Sequence, residues 1–122
     1  NEWEKLKTVK KQRETIKNAP CQTTPQKYTG YFLKPDARHS QDFFKVGYSP
    51  DDPLRLRYDM AKQFDMSKAV NVTYDSDGKK RFRIYMELGV EKKRRFRTAW
   101  ILDGEDSKPR IVTAFREGKD DD

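Results

Sequence analysis

The sequence predicts an α+β domain: helices packed on one face of a four-stranded antiparallel sheet. Three observations carry that reading. Up to about residue 64, apolar residues recur at helical spacing between Pro and Gly stop signals. From residue 70 onward the period changes to two. The segments of period two then follow one another across short polar turns, DSDG, GVEKK and DGEDSKP, as a meander does. At 122 residues the chain has material for one core and not for two.

Taken in order, residues 2–18 read as a basic helix, because Trp3, Leu6, Val9, Arg13 and Ile16 share one side and Asn18-Ala19-Pro20 ends it. Its apolar stripe is narrow, so it is expected to dock on the body. APCQTTPQK (19–27) follows as a linker, making 1–27 an N-terminal helix and linker. YTGYFL (28–33) reads as a short strand stopped by Pro35. SQDFFKVGY fits a short helix with Ser40 as N-cap, Phe43 and Phe44 buried, and Gly47 as terminator. The next helix, in SPDDPLRLRYDMAKQF, starts on Asp51 or Asp52 with Pro53 in its first turn, and lines Leu54, Tyr58, Ala61 and Phe64 along one side.

Strands are expected at VNVTY (70–74), KRFRIYMEL (80–88), RRFRTAWIL (94–102) and RIVTAF (110–115). In 80–88, Phe82, Ile84, Met86 and Leu88 face the core, which turns Arg83, Tyr85 and Glu87 outward. In 94–102 both alternating sets hold apolar residues, so its faces stay open. The principal domain is therefore 28–116, and EGKDDD (117–122) is expected to be a disordered tail.

Composition bounds the function. Charged residues make up 39% of the chain and hydrophobic ones 34%, while 7 Phe, 6 Tyr and 2 Trp supply a thin, aromatic-rich core. The 27 basic and 20 acidic residues leave +7, which suits a polyanionic partner. No apolar run approaches ~18 residues, so no membrane span is expected. A single cysteine, Cys21, excludes an intrachain disulfide and a Cys-based zinc site, and suits a reducing cytosol. The start at Asn1, without Met or signal peptide, is expected of a domain cut from a larger protein.

Chemistry concentrates in two places. Residues 79–97 hold nine Lys/Arg against two Glu, interleaved with Phe82, Tyr85 and Phe96. Such a run is ordinary on a solvated face. On paired strands it also makes a basic, base-stacking surface of the kind RNA-binding sheets present, with Arg83, Tyr85, Arg95 and Arg116 as candidate substrate contacts. The other place is KPDARHSQ (34–41), which carries the only histidine. His39 titrates near neutrality, Asp36 three residues away is a carboxylate to fix its tautomer, and Lys34 and Arg38 are cations for a phosphate. Cleaving RNA needs a base for the 2′-hydroxyl, an acid for the 5′-oxygen and cations for the phosphorane, without a cofactor or metal. A histidine just ahead of a helix is equally common as a structural residue. Thr98 and Thr113 are β-formers whose hydroxyls reach a phosphate only from the wet face. Glu91-Lys92-Lys93 has the E-x-K form of a metal-dependent nuclease, with Asp75 or Asp77 as partner, but lies in a turn where such residues are ordinary.

The segments YFLKPDARHSQDFFKVGYS, FRIYMELGVEKKRRFRTAWIL and RIVTAF together resemble the C-terminal toxin domains of bacterial polymorphic toxins, in particular those of CdiA proteins of contact-dependent growth inhibition. The element order is similar to the barnase/RelE-like ribonuclease fold. That resemblance implies a tRNA endonuclease (tRNase) toxin, secreted or displayed within a larger exoprotein and acting in the target-cell cytoplasm. It implies tRNA and a cognate immunity protein as partners, and, as for some members of the class, elongation factor Tu. It implies His39, Asp36, Arg97, Thr98 and Thr113 as the catalytic set. Barnase-type sites pair a Glu base with a His acid, and the sequence does not place that pair. Two alternatives stand beside this reading: a non-catalytic RNA- or protein-binding module, and a metal-dependent DNase.

Overall fold

The computed structural model describes residues 1–105 and 107–118. Helix α1 (Glu2–Asn18) opens the chain, capped by the Asn1 side chain, which accepts the Glu4 N–H at 2.9 Å. A single turn, α2 (Pro25–Lys27), runs into a π-helical turn at Tyr28–Phe32. Helices α3 (Ser40–Phe44) and α4 (Pro53–Gln63) follow, then strands β1 (Val70–Tyr74), β2 (Lys80–Leu88), β3 (Arg94–Leu102) and β4 (Arg110–Arg116). The strands pair antiparallel in the order β1-β2-β3-β4. The architecture is α+β, as the sequence predicts, and no helix among the described residues is long and apolar enough to cross a membrane.

Alternation decides which side of the sheet is dry. Phe82, Ile84, Met86 and Leu88 of β2 are buried, as are Phe96, Thr98 and Trp100 of β3, against Leu56 and Met60 of α4, Phe43 of α3 and Phe32. Phe43 stacks on Phe96 at 4.9 Å, and Phe64 meets Trp100 edge-on at 4.7 Å. Burial of each such ring contributes about 1.5–3 kcal/mol, so a few aromatics sustain a small core.

Several local expectations are corrected. YTGYFL is helical rather than a strand: the Leu33 N–H donates to the Tyr28 carbonyl at 2.9 Å, five residues back. Tyr28, Phe32 and Leu33 are all buried, and helical spacing directs them to one side where a strand would split them. Ser40 is the first residue of α3 and not its cap; its hydroxyl donates to the Ala37 carbonyl at 3.1 Å. α1 lies along α4, but Trp3 and Leu6 are 65% and 64% exposed, so only Ile16 near its end packs against the core. The presumed linker is fixed: Ala19 and Cys21 join the core, and the Gln22 N–H donates to the Pro109 carbonyl at 2.7 Å. β1 is a strand with every residue exposed, its alternation burying nothing. Of the expected tail, Glu117 and Gly118 are placed and 119–122 lie outside the described residues.

Candidate active site

Pairing register lines up the outward side chains in rows across the sheet. One row is Arg83, Ala99 and Thr113; the next is Tyr85, Arg97 and Phe115. A third sets Glu87 opposite Arg95, and beside them Glu117 continues β4, its N–H donating to the Arg95 carbonyl at 2.9 Å. β4 is an edge strand, and the chain from Tyr31 to Asp42 comes round it. Asp42 Oδ2 accepts the N–H of Arg116 at 3.1 Å, and the Tyr31 and Thr113 hydroxyls share a hydrogen bond of 3.4 Å. A strand edge covered in this way is closed to foreign strands. It also brings the His39 ring to 5.1 Å from Phe115, extending the middle row beyond the sheet.

The result is a cleft of about 680 Å³, walled by Tyr31, Arg38, His39, Arg97, Thr113 and Phe115, with Arg116, Glu117 and Gly118 at its end. Phe115 is its centre. His39 lies against the ring, and the Arg97 guanidinium sits 5.1 Å from the ring centroid. Arg97 Nη2 donates to Glu117 Oε1 at 2.9 Å, and this contact raises the Arg97 pKa further, keeping the cation fixed. The second carboxylate oxygen, Glu117 Oε2, is buried with no hydrogen-bond donor among the described residues. A carboxylate oxygen so placed keeps its lone pairs for a hydrogen bond that no described residue supplies. On the other side, His39 Nδ1 stands 3.8 Å from Asp42 Oδ2, which is an ion-pair separation rather than a hydrogen bond.

Of the residues singled out in the sequence, Arg38, His39, Arg97, Thr113 and Arg116 line this cleft, and the others do not. Arg38 lines the cleft from an exposed position, and Arg116 lines it while only 6% exposed. Arg83, Tyr85 and Arg95 lie on the same outer face, with the Arg95 guanidinium 4.2 Å over the Tyr85 ring. Lys34 is not among the lining residues; it pairs with Asp36 at 3.7 Å in solvent. Asp36 is thus displaced as the partner of His39 by Asp42, one helical turn ahead instead of three residues behind. Thr98 leaves the site altogether. It shares the core face with Phe96 and Trp100, donates to the Ile84 carbonyl at 2.6 Å, and accepts from Trp100 Nε1 at 2.7 Å. Glu91 sits in the β2–β3 turn, whereas Asp75 and Asp77 sit in the β1–β2 turn. The whole length of β2 separates them, roughly 30 Å, too far for shared ligation of a metal. Glu117 is the residue that the sequence reading missed. Continuing the alternation Thr113, Phe115 by one more step finds it.

A family model described as DUF6883, domain of unknown function, matches residues 16–118. The chain belongs to the DUF6883 family. No curated protein and no solved structure matches the chain. The DUF6883 match contains every residue that lines the cleft and leaves out most of α1. The cleft is therefore built within the residues that the family model matches.

Proposed function

We propose that this DUF6883 domain is a metal-independent ribonuclease acting on tRNA, and that it serves as an antibacterial toxin in the cytoplasm of a target cell. One observation carries the reading: His39, Arg97, Thr113 and Glu117, scattered over 79 positions of sequence, converge around Phe115 in one basic cleft. The residue types match what phosphodiester transesterification asks for.

In this mechanism Phe115 and Tyr85 stack on bases, while Arg38, Arg83 and Arg95 neutralise flanking phosphates. The Glu117 carboxylate takes the proton of the 2′-hydroxyl, and O2′ attacks phosphorus. Arg97 and the Thr113 hydroxyl stabilise the phosphorane. The imidazolium of His39, supported by Asp42, gives its proton to the departing 5′-oxygen. The products are a 2′,3′-cyclic phosphate and a free 5′-hydroxyl, and the chemistry consumes no metal or cofactor. The Glu base and His acid are thus the pair that barnase-type sites use.

The resemblance to CdiA toxin domains extends the reading to the setting. The domain is carried in a secreted or cell-surface exoprotein, an acidic immunity protein covers the basic face, and elongation factor Tu presents the tRNA. The deciding experiment incubates the chain with total tRNA in a chelator, with and without elongation factor Tu. Discrete fragments ending in cyclic phosphate are expected. Intact tRNA in both lanes overturns the reading, and salt-sensitive binding without fragments makes the domain a binding module instead.

A further inference from the structure

A second hollow, about 320 Å³, lies toward β1, lined by Asn71, Thr73, Arg81, Arg83, Ala99 and Val112, and by Phe82 and Trp100 of the same strands. Its origin is local. Ala99 is the small member of its strand face, set between Arg97 and Ile101, so the sheet has a gap there. The strands on either side are irregular at that level. β1 shifts register between Val70 and Thr73, and β4 shifts between the partners of Ala99 and Trp100, which leaves Val112 as the extra residue. Bulges of this kind re-aim side chains beside functional surfaces. Asn71 in the first bulge has φ 54°, a left-handed backbone that asparagine tolerates better than most residues.

The hollow is joined to the catalytic cleft. Thr113 is the cross-strand partner of Ala99, and Arg83 is its partner on the other side, so the cleft wall and the hollow share one row. The step from the Phe115 row is about 7 Å along the strands, close to one nucleotide of an extended chain. Arg81 is occupied by Asp75 at 3.3 Å. Arg83 has no ion pair among the described residues, which leaves its charge available at the rim.

We infer that this hollow is a nucleotide subsite for single-stranded RNA, holding the nucleotide next to the one in the cleft. The base lies over the Ala99 methyl, the Asn71 amide and Thr73 hydroxyl read its edge, and Arg83 holds the phosphate between the subsites. Its volume falls at the small end of the ~300–1,000 Å³ range of ligand sites, as a single base and sugar require. This inference deepens the ribonuclease reading and rests on it for the polarity of the strand.

The test uses 2′-O-methyl oligonucleotides of two, three and four residues, each of a single base, which bind without being cut. Fluorescence anisotropy gives the affinity of each length. A gain of at least about tenfold from the second to the third nucleotide is expected for the wild-type chain (~1.4 kcal/mol). Ala99→Leu, which fills the hollow, and Asn71→Gly, which keeps the left-handed backbone and removes the amide, should each reduce that gain to about threefold or less. Arg83→Gln should lower the salt slope by about 0.7. A gain that survives in both of the first variants, their melting temperatures being unchanged, overturns the subsite, as does absence of binding at every length. Unmethylated versions separate the two readings. Cleavage without a length-dependent gain sinks the subsite alone, and the gain without cleavage sinks the ribonuclease alone.

Discussion

Arg97 stands between the Phe115 face and the Glu117 carboxylate. A lysine there keeps the charge but loses the planar fork, so Arg97→Lys is expected to cut tRNA cleavage by at least about tenfold with little change in melting temperature. His39→Ala and Glu117→Gln should each cost on the order of 10²–10⁴ in rate, read in single-turnover cleavage assays. Full activity in either would remove that residue from proton transfer. These positions differ in how legible they were. Arg97 and Thr113 follow from strand parity once the faces are fixed. Thr98 went wrong because Trp100 and Ile101 are adjacent and both buried, so the pattern alone does not say which parity is dry. Asp36 and Asp42 are both three residues from His39, and only the direction of α3 breaks the tie. Glu117 was hidden by its neighbours, since EGKDDD has the composition of a tail.

At the level of elements, the bounds of β2 and β3 were readable to the residue because Gly- and Asp-containing turns set them off, and β2 keeps a period of two throughout. The 28–33 segment was not, because Tyr, Thr and Phe favour strands locally while the core claims Tyr28, Phe32 and Leu33 on one side. The β2–β3 turn hangs on Gly89. Its φ is 153°, a Cβ there would collide with the Lys92 carbonyl, and its N–H donates to the Tyr48 hydroxyl at 2.9 Å. That hydroxyl donates in turn to Asp59 at 2.6 Å, joining the turn to α4. Gly89→Ala is therefore expected to destabilise the fold by about 2–3 kcal/mol, measured as a lower urea midpoint at unchanged slope.

For the molecule as a whole, the buried ionisable groups set a limit on the alkaline side. Burial pushes the Cys21 thiol up to about 12 from its ordinary 9.0, with Lys108 opposing in part. Burial likewise raises Tyr28 and Tyr48, the latter also through its hydrogen bond to Asp59. Such groups hold their protons longer in the folded chain than in the unfolded one. Stability is thus complete below about pH 9 and falls as pH rises toward 12, the unfolded state having released protons that the native state retains. Urea midpoints at pH 8, 9.5 and 11 should decline in that order, and a flat series would contradict the burial of these groups.

The clasp between Asp42 and the Arg116 amide spans 74 positions of sequence. Contacts between such distant parts of a chain close late, because the loop entropy must first be overcome by everything in between. On the ribonuclease reading proposed above, catalytic competence accordingly waits for this long-range closure, as it does for the Tyr31–Thr113 contact across 82 positions. On that reading, a chain half-made on a ribosome holds His39 without Phe115 or Glu117 and is expected to leave RNA intact. In a refolding experiment, burial of Trp100 should precede the first cleaved substrate.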